Sequence, residues 1–195
     1  MVKQEYQTQR LYLKVLKPIH AKKVLEYYTK NAEFLREWDP KREEYFYTIP
    51  FQKQILKDDL NDFKNGSLVK FWLIKKDTKT IIGNVCFSNI IMGNFKSCFM
   101  SYKLDEDEIN KGYISEAITK AVDVMFNDFG IHRVEVNIIP RNVRSLKIMQ
   151  KLHFEEEGFS RNYLKINGVW EDHKHFAIYN DKLEDNIWQN FNYAI

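Results

Sequence analysis

The stretch that follows Gly112 constrains the fold more than any other. Ile114, Ala117, Ile118, Ala121, Val122, Met125, Phe126 and Phe129 recur at spacings of three and four. That is the stripe of an amphipathic helix with one face against a core, and Gly130 closes it as a C-terminal cap. Such a stripe needs a surface to lie on. Upstream, Val69–Ile74, Ile81–Ile91 and Lys96–Leu104 read as three strands, joined by the polar turn KKDTKT and by Gly93-Asn94. Together they form an antiparallel meander. Downstream, residues 132–138 alternate apolar and polar, as a half-buried strand does. A strand that returns after a long helix pairs in parallel, so the sheet carries one parallel crossover in its second half.

The remaining segments extend this pattern at both ends. Arg10–Leu16 alternates as a strand, and Pro18 introduces a helix with Val24, Leu25 and Tyr28 on one face. A short helical turn near Phe34 and an irregular stretch over 38–50 follow, then a helix from Phe51 to Asn65 closed by Gly66. Asn142 is suited to cap a helix containing Val143, Leu146, Met149 and Leu152. Two last strands, Phe154–Ile166 and Val169–Tyr179, meet at Asn167-Gly168, a type I′ hairpin dipeptide. The expectation is one α/β (α+β) domain over residues 1–180. Its central sheet is mixed and mainly antiparallel, with about seven strands and about four flanking helices. Residues 181–195 are expected to form a tail packed on or beside it.

Composition excludes several functions. With 30 basic and 27 acidic side chains the net charge is +3, too balanced to imply nucleic-acid binding. No run approaches the ~18 apolar residues of a membrane span, and the N-terminus lacks an apolar signal region. We expect a cytoplasmic protein. Cys86 and Cys98 fall on neighbouring strands about equally far from the hairpin tip, where they could face each other; reduced, buried thiols are the expectation. A homodimer is left open.

Chemistry enters at Gly112. A glycine at a helix start lets backbone approach an anion, and the unsatisfied first amides and helix dipole favour negative charge there. Such a site suits a pyrophosphate. Around it, several pieces stand in order: TQRLYLK at 8–14, IIGNV at 81–85, SYKL at 101–104, KGYISEA at 111–117, NVRS at 142–145, KLHF at 151–154, EGF at 157–159 and GVWED at 168–172. In this order they resemble the GNAT superfamily of N-acetyltransferases, in the branch that acetylates the N-terminal alanine or serine of ribosomal proteins. The resemblance spans about residues 8–180.

It implies acetyl-CoA as cosubstrate, no metal, and direct acetyl transfer to an amine, most simply a protein N-terminus. It places the cofactor on Lys103, Leu104, Ile109, Asn110, Lys111, Gly112, Tyr113, Ile114, Asn142 and Ser145. Ser145 is the expected support for the departing thiolate, Glu116 the first-ranked base, and Tyr102 a candidate wall of the acetyl site. Backbone N–H near Lys103–Leu104 would hold the oxyanion. Three departures stand out. The superfamily loop reads Gln/Arg-x-x-Gly-x-Gly/Ala, and here Ile109 and Ile114 flank Gly112. The tyrosine that protonates the thiolate in many members is Met149. His153 replaces a helix-end glycine and must take an awkward conformation.

Other readings compete at particular residues. The acceptor could be a small amine, such as a polyamine, amino sugar or amino acid, with Trp38, Tyr45, Phe46 and Tyr47 as groove candidates. The chain could be a non-catalytic acyl-CoA binder, or an RNA-binding module. Asp172 reads as structural. His173 and His175 share a strand face, a spacing known in metal sites, without a third ligand. The acidic runs 105–108 and 155–157 read as solvated surface.

Overall fold

The computed structural model describes residues 3–181. One sheet runs through it. Its strands are β1 (Glu5–Gln7), β2 (Leu11–Lys14), β3 (Val69–Lys75), β4 (Ile81–Ile91), β5 (Ser97–Leu104), β6 (Arg133–Ile138), β7 (Glu155–Ile166) and β8 (Val169–Tyr179). They lie in the order β1-β2-β3-β4-β5-β6-β8-β7. Every pairing is antiparallel except β5–β6. The helices are α1 (Ala21–Lys30), α2 (Ala32–Arg36), α3 (Ile49–Asn65), α4 (Tyr113–Asn127) and α5 (Val143–Lys151).

Period-two alternation divides the core between the two faces of this sheet. Phe71, Leu73, Val85, Phe87, Cys98, Met100, Val134 and Val136 meet α4 and α5 on one face. Trp72 projects to the other face, where it packs with Val24 and Tyr27 of α1 and Leu56 of α3. Burial of these apolar surfaces is the main favourable term in folding. Glycine is required at Gly83, where a Cβ would lie 2.2 Å from the Lys103 carbonyl oxygen. That contact seats β4 tightly against the end of β5.

Several expectations are corrected. The described residues form eight strands rather than about seven, because a three-residue β1 precedes β2 and is too short to show alternation. The turn near Phe34 is a helix, α2. The helix after Gly112 ends at Asn127, not Phe129, though Gly130 does adopt the left-handed conformation (φ +67°). Cys86 and Cys98 are buried and free, but Cys86 pairs with Ser101. Alternation along β5 therefore turns Cys98 to the opposite face. His153 has φ +59°, the strained helix end that the missing glycine implied. Asn167 and Gly168 both have positive φ, +46° and +86°, as a type I′ turn demands. The tail expected over 181–195 lies outside the described residues apart from Asp181.

Candidate active site

The site begins where the sheet comes apart. β5 and β6 pair only at Ser97–Phe99 with Arg133–Glu135. Both strands continue, β5 to Leu104 and β6 to Ile138, with no ladder between them. The Asp105 amide donates to the Ile82 carbonyl at 2.7 Å. By alternation the main-chain groups of Lys103 also point to β4, and those of Tyr102 and Leu104 point into the opening. Strand ends in such a crevice are where open α/β sheets bind ligands.

Two helices start at the mouth of this opening. α4 opens at Gly112, its N-cap, with φ +80°. Asn110, two residues earlier, also has positive φ (+60°). Alternating left-handed residues before a helix make a concave array of N–H groups suited to an anion. A Cβ on Gly112 would meet only the Arg10 guanidinium, at 3.4 Å, so the approach to these amides is open. α5 opens at Asn142, whose Oδ1 accepts from the Ser145 amide at 3.1 Å. This cradle fits a pyrophosphate. Ile109 and Tyr113 flank it, while Ile114 is buried in the core and offers only main chain. Lys111 is exposed and its Nζ lies 3.1 Å from Glu108 Oε2.

Tyr102 and Ser145 come together on the α4–α5 face. Burial pushes the Tyr102 phenol up to about 12, and its hydroxyl faces Ser145. No hydrogen bond of full geometry satisfies that hydroxyl among the described residues. A buried, unsatisfied hydroxyl beside the opening is what a bound polar group would complete.

Glu116 is committed elsewhere. Its Oε1 accepts from the Arg10 amide at 2.8 Å and its Oε2 from Arg10 Nε at 2.6 Å. Burial alone would raise its pKa, but hydrogen bonds from Thr8 and Arg10 hold it below the usual carboxylate range. An anion clamped this way is a weaker proton acceptor than a free carboxylate. Arg10 does more. Its Nη1 donates to the Lys111 carbonyl at 2.9 Å, and its Cζ lies 4.3 Å from the Tyr113 ring centroid. It therefore braces the Gly112 loop from β2 and adds positive charge beside it. Only the arginine of TQRLYLK hinted at this; its contacts are 106 residues away in sequence.

On the opposite face, α2 and the segment after it border a second region. Lys103 turns to this side, half-buried, and its ammonium contacts the Asp39 carboxylate. Burial lowers the Lys103 pKa, with Asp39 pulling against it. Asp39 also takes Arg42 Nη2 at 2.7 Å. Beside this pair lies a cleft of about 420 Å³, lined by Tyr28, Glu33, Arg36, Asp39, Tyr47 and Asn167 among others. Arg141 ties α2's end to β8, with Nη1 2.8 Å from Glu37 and Nη2 2.8 Å from Glu171, over the Trp38 ring. Of the groove candidates, Phe46 is core, Tyr45 is exposed, Tyr47 lines the cleft, and Trp38 is half-buried under Arg141. Asp172 accepts from the Asn162 amide at 2.8 Å, a structural role. The acidic run is not simple surface: Asp105 is buried and its two oxygens lie 2.8 Å from Lys30 Nζ. Among the described residues no helix is long and apolar enough to cross a membrane.

Comparison with known proteins agrees with this geometry. The family model of the acetyltransferase (GNAT) domain matches residues 10–155. The chain is 36% identical over 167 residues to the ribosomal protein uS5-alanine N-acetyltransferase of Escherichia coli, covering 85% of this chain and 86% of that one. The crystal structure of a ribosomal-protein-S5-alanine acetyltransferase from Vibrio fischeri superposes with TM-score 0.88 at 32% identity, over 92% of this chain and 98% of that one. RimJ of Mycobacterium smegmatis, in complex with CoA-disulfide, shares the fold with TM-score 0.83 at 20% identity, over 89% and 83% of the two chains.

Proposed function

The chain belongs to the GNAT acetyltransferase family, and we propose that it acetylates the N-terminal α-amine of a protein, foremost a ribosomal protein. It is an acetyl-CoA-dependent N-acetyltransferase. The observation that carries the acceptor reading is the two-sided opening between β5 and β6. Backbone amides and two helix starts border it on one face, and a charged, surface-exposed cleft borders the other. The exposed Glu33, Arg36 and Lys41 around that cleft favour a peptide over a small amine enclosed in aromatic walls.

In this reading the pyrophosphate of acetyl-CoA sits on the amides of 110–114, opened by Gly112, with Lys111 beside it. The pantetheine arm runs past Asn142 into the opening. The acetyl oxygen takes the Leu104 or Tyr102 N–H, which supports the developing oxyanion. Ser145, with Tyr102 behind it, supports the leaving thiolate, whose pKa near ~8.5 makes a strong acid unnecessary. An α-amine titrates near ~7.7–8.0, so it reaches its attacking form with modest help. The domain spans residues 1–180, and we place the protein in the cytoplasm, where acetyl-CoA and newly made ribosomal proteins meet.

The test is competition. Purified protein and acetyl-CoA are offered peptides beginning with alanine or serine, polyamines and amino sugars, with released thiol and product mass as readouts. Peptide N-termini are expected to be preferred. Turnover with small amines alone would overturn the acceptor assignment.

A further inference from the structure

The loop between β5 and α4, residues 105–112, carries the cradle and has little apolar anchorage of its own. Ile109 is its one apolar side chain, and only Asp105 is buried. Polar ties from three elements hold it instead. Arg10 of β2 donates to the Lys111 carbonyl, and Lys75 Nζ of β3 lies 3.3 Å from Glu108 Oε1. The third tie comes from the other face of the sheet, at the joint between α1 and α2.

That joint is Asn31, which is 1% exposed. Its Nδ2 donates to the Tyr27 carbonyl at 2.9 Å, and its Oδ1 accepts the Glu106 amide at 2.9 Å, 75 residues away in sequence. A carbonyl on one side and an N–H on the other allow only one orientation of the side-chain amide. Beside it, Lys30 Nζ lies 2.8 Å from each oxygen of Asp105 and 2.8 Å from Asp107 Oδ2. Lys30 is the last residue of α1, where the helix dipole favours a cation. Asp105 Oδ1 also accepts the Asp107 amide at 3.0 Å. The carboxylate that Lys30 grips therefore caps the helical turn over Glu106–Glu108, and Asn110 and Gly112 follow that turn directly.

We propose that Asn31 and Lys30 are positioning residues for acetyl-CoA: from the end of α1 they set where the 105–112 loop stands, and through it the amides of 110–114. This rests on the cofactor placement proposed above. The effect falls on the cradle more than on β5, whose end is fixed separately by its ladder to β4 and by the Asp105 amide on the Ile82 carbonyl. Without the Lys30 ammonium, Asp105 keeps the Asp107 amide but loses its cation. A buried carboxylate left without its cation is costly, and the turn it caps moves to rehydrate it. Without the Asn31 amide, the Glu106 N–H loses its acceptor.

The experiment titrates acetyl-CoA into the full chain and measures kcat and both KM values with its best acceptor. Lys30→Met is expected to weaken acetyl-CoA binding about fivefold, the upper end for a half-exposed ion pair. The acetyl-CoA KM rises with it, with a smaller fall in kcat and no rise in the acceptor KM. Lys30→Arg, whose guanidinium spans both carboxylates, is expected to restore the affinity. Asn31→Ala is expected to weaken binding further and to lower the thermal midpoint; should it not fold, Lys30→Met carries the test alone. Lys120→Met, which removes the exposed pair with Asp123 on α4, is the control and leaves the affinity as it is. A role in stability alone would lower the midpoint without changing the affinity of the folded protein. Unchanged affinity in folded Lys30→Met would overturn the assignment, as would an equal loss in Lys30→Arg or a matching rise in the acceptor KM. Wild-type protein that binds no acetyl-CoA would instead overturn the cofactor placement, and this assignment with it.

Discussion

The two faces of the opening between β5 and β6 are built from different materials. On the α4–α5 face the working parts are main chain: the amides after Asn110 and Gly112, the start of α5, and the inward edge of β5. On the other face they are side chains held in pairs: Lys103 with Asp39, and Arg141 with Glu37 and Glu171. A main-chain cradle suits a ligand that never changes, because its donors tolerate almost any side chain. A paired side-chain wall can be retuned by single substitutions, which suits the face that chooses an acceptor.

If that division is right, variants on the two faces separate in kinetics. The largest effect is expected from Gly83→Val, which affects both faces at once. Its Cβ collides with the Lys103 carbonyl, and such overpacking costs about 3 kcal/mol or more, read as a fall in thermal midpoint together with activity. Gly112→Val acts on the cradle alone. A β-branched residue at φ +80° is strained and obstructs the amides, so acetyl-CoA should bind at least tenfold more weakly, about 1.4 kcal/mol. Calorimetric titration showing unchanged affinity in a folded variant would break the comparison on that side.

Asp39→Ala is expected to raise the acceptor KM several-fold while leaving acetyl-CoA affinity alone, since it strips the partner from half-buried Lys103. Equal changes in both substrates would show that the faces are not separable. Ser145→Ala should lower turnover by a smaller factor than Gly112→Val changes affinity, and should lower it more than it weakens the cofactor.

The smallest effect concerns pH. The Glu116 pKa is depressed in the folded state, so its contribution to stability is present above the unfolded value and is lost as pH falls through the folded one. Glu116→Gln should therefore be less stable than wild type at neutral pH, with the gap closing as denaturation is followed into acid. A gap independent of pH would mean the Arg10 brace acts without charge.

Sequence legibility followed the same division. Gly112, Asn142 and Asn167-Gly168 carry their conformations locally, through φ and capping, so a linear reading finds them. The sheet's alternation and the α4 stripe were equally plain. What the linear reading lacked were partners. Lys103 and Asp39 are 64 residues apart and Arg10 and Glu116 are 106 apart, and neither pairing has a period or turn residue to announce it. For Glu116 only its position on the helix could be read; its bonds to Arg10 exist only after β2 packs beside α4. The His173-x-His175 spacing was visible, but the hydrogen-bond partners of His175, Asn137 and Ser160, come from β6 and β7. They signal nothing in isolation.

Arg141 ties these halves in a further way. It reaches Glu37, just after α2, and Glu171 of β8, and it immediately precedes Asn142, the cap of α5. Whatever displaces the guanidinium from its two carboxylates pulls on that cap one peptide unit away. Thermodynamic linkage then runs in both directions: the factor by which a docked acceptor alters thioester affinity equals the factor by which the thioester alters acceptor affinity. Under the proposed function, Arg141 is the side chain through which such a coupling would pass, and Arg141→Ala should reduce it.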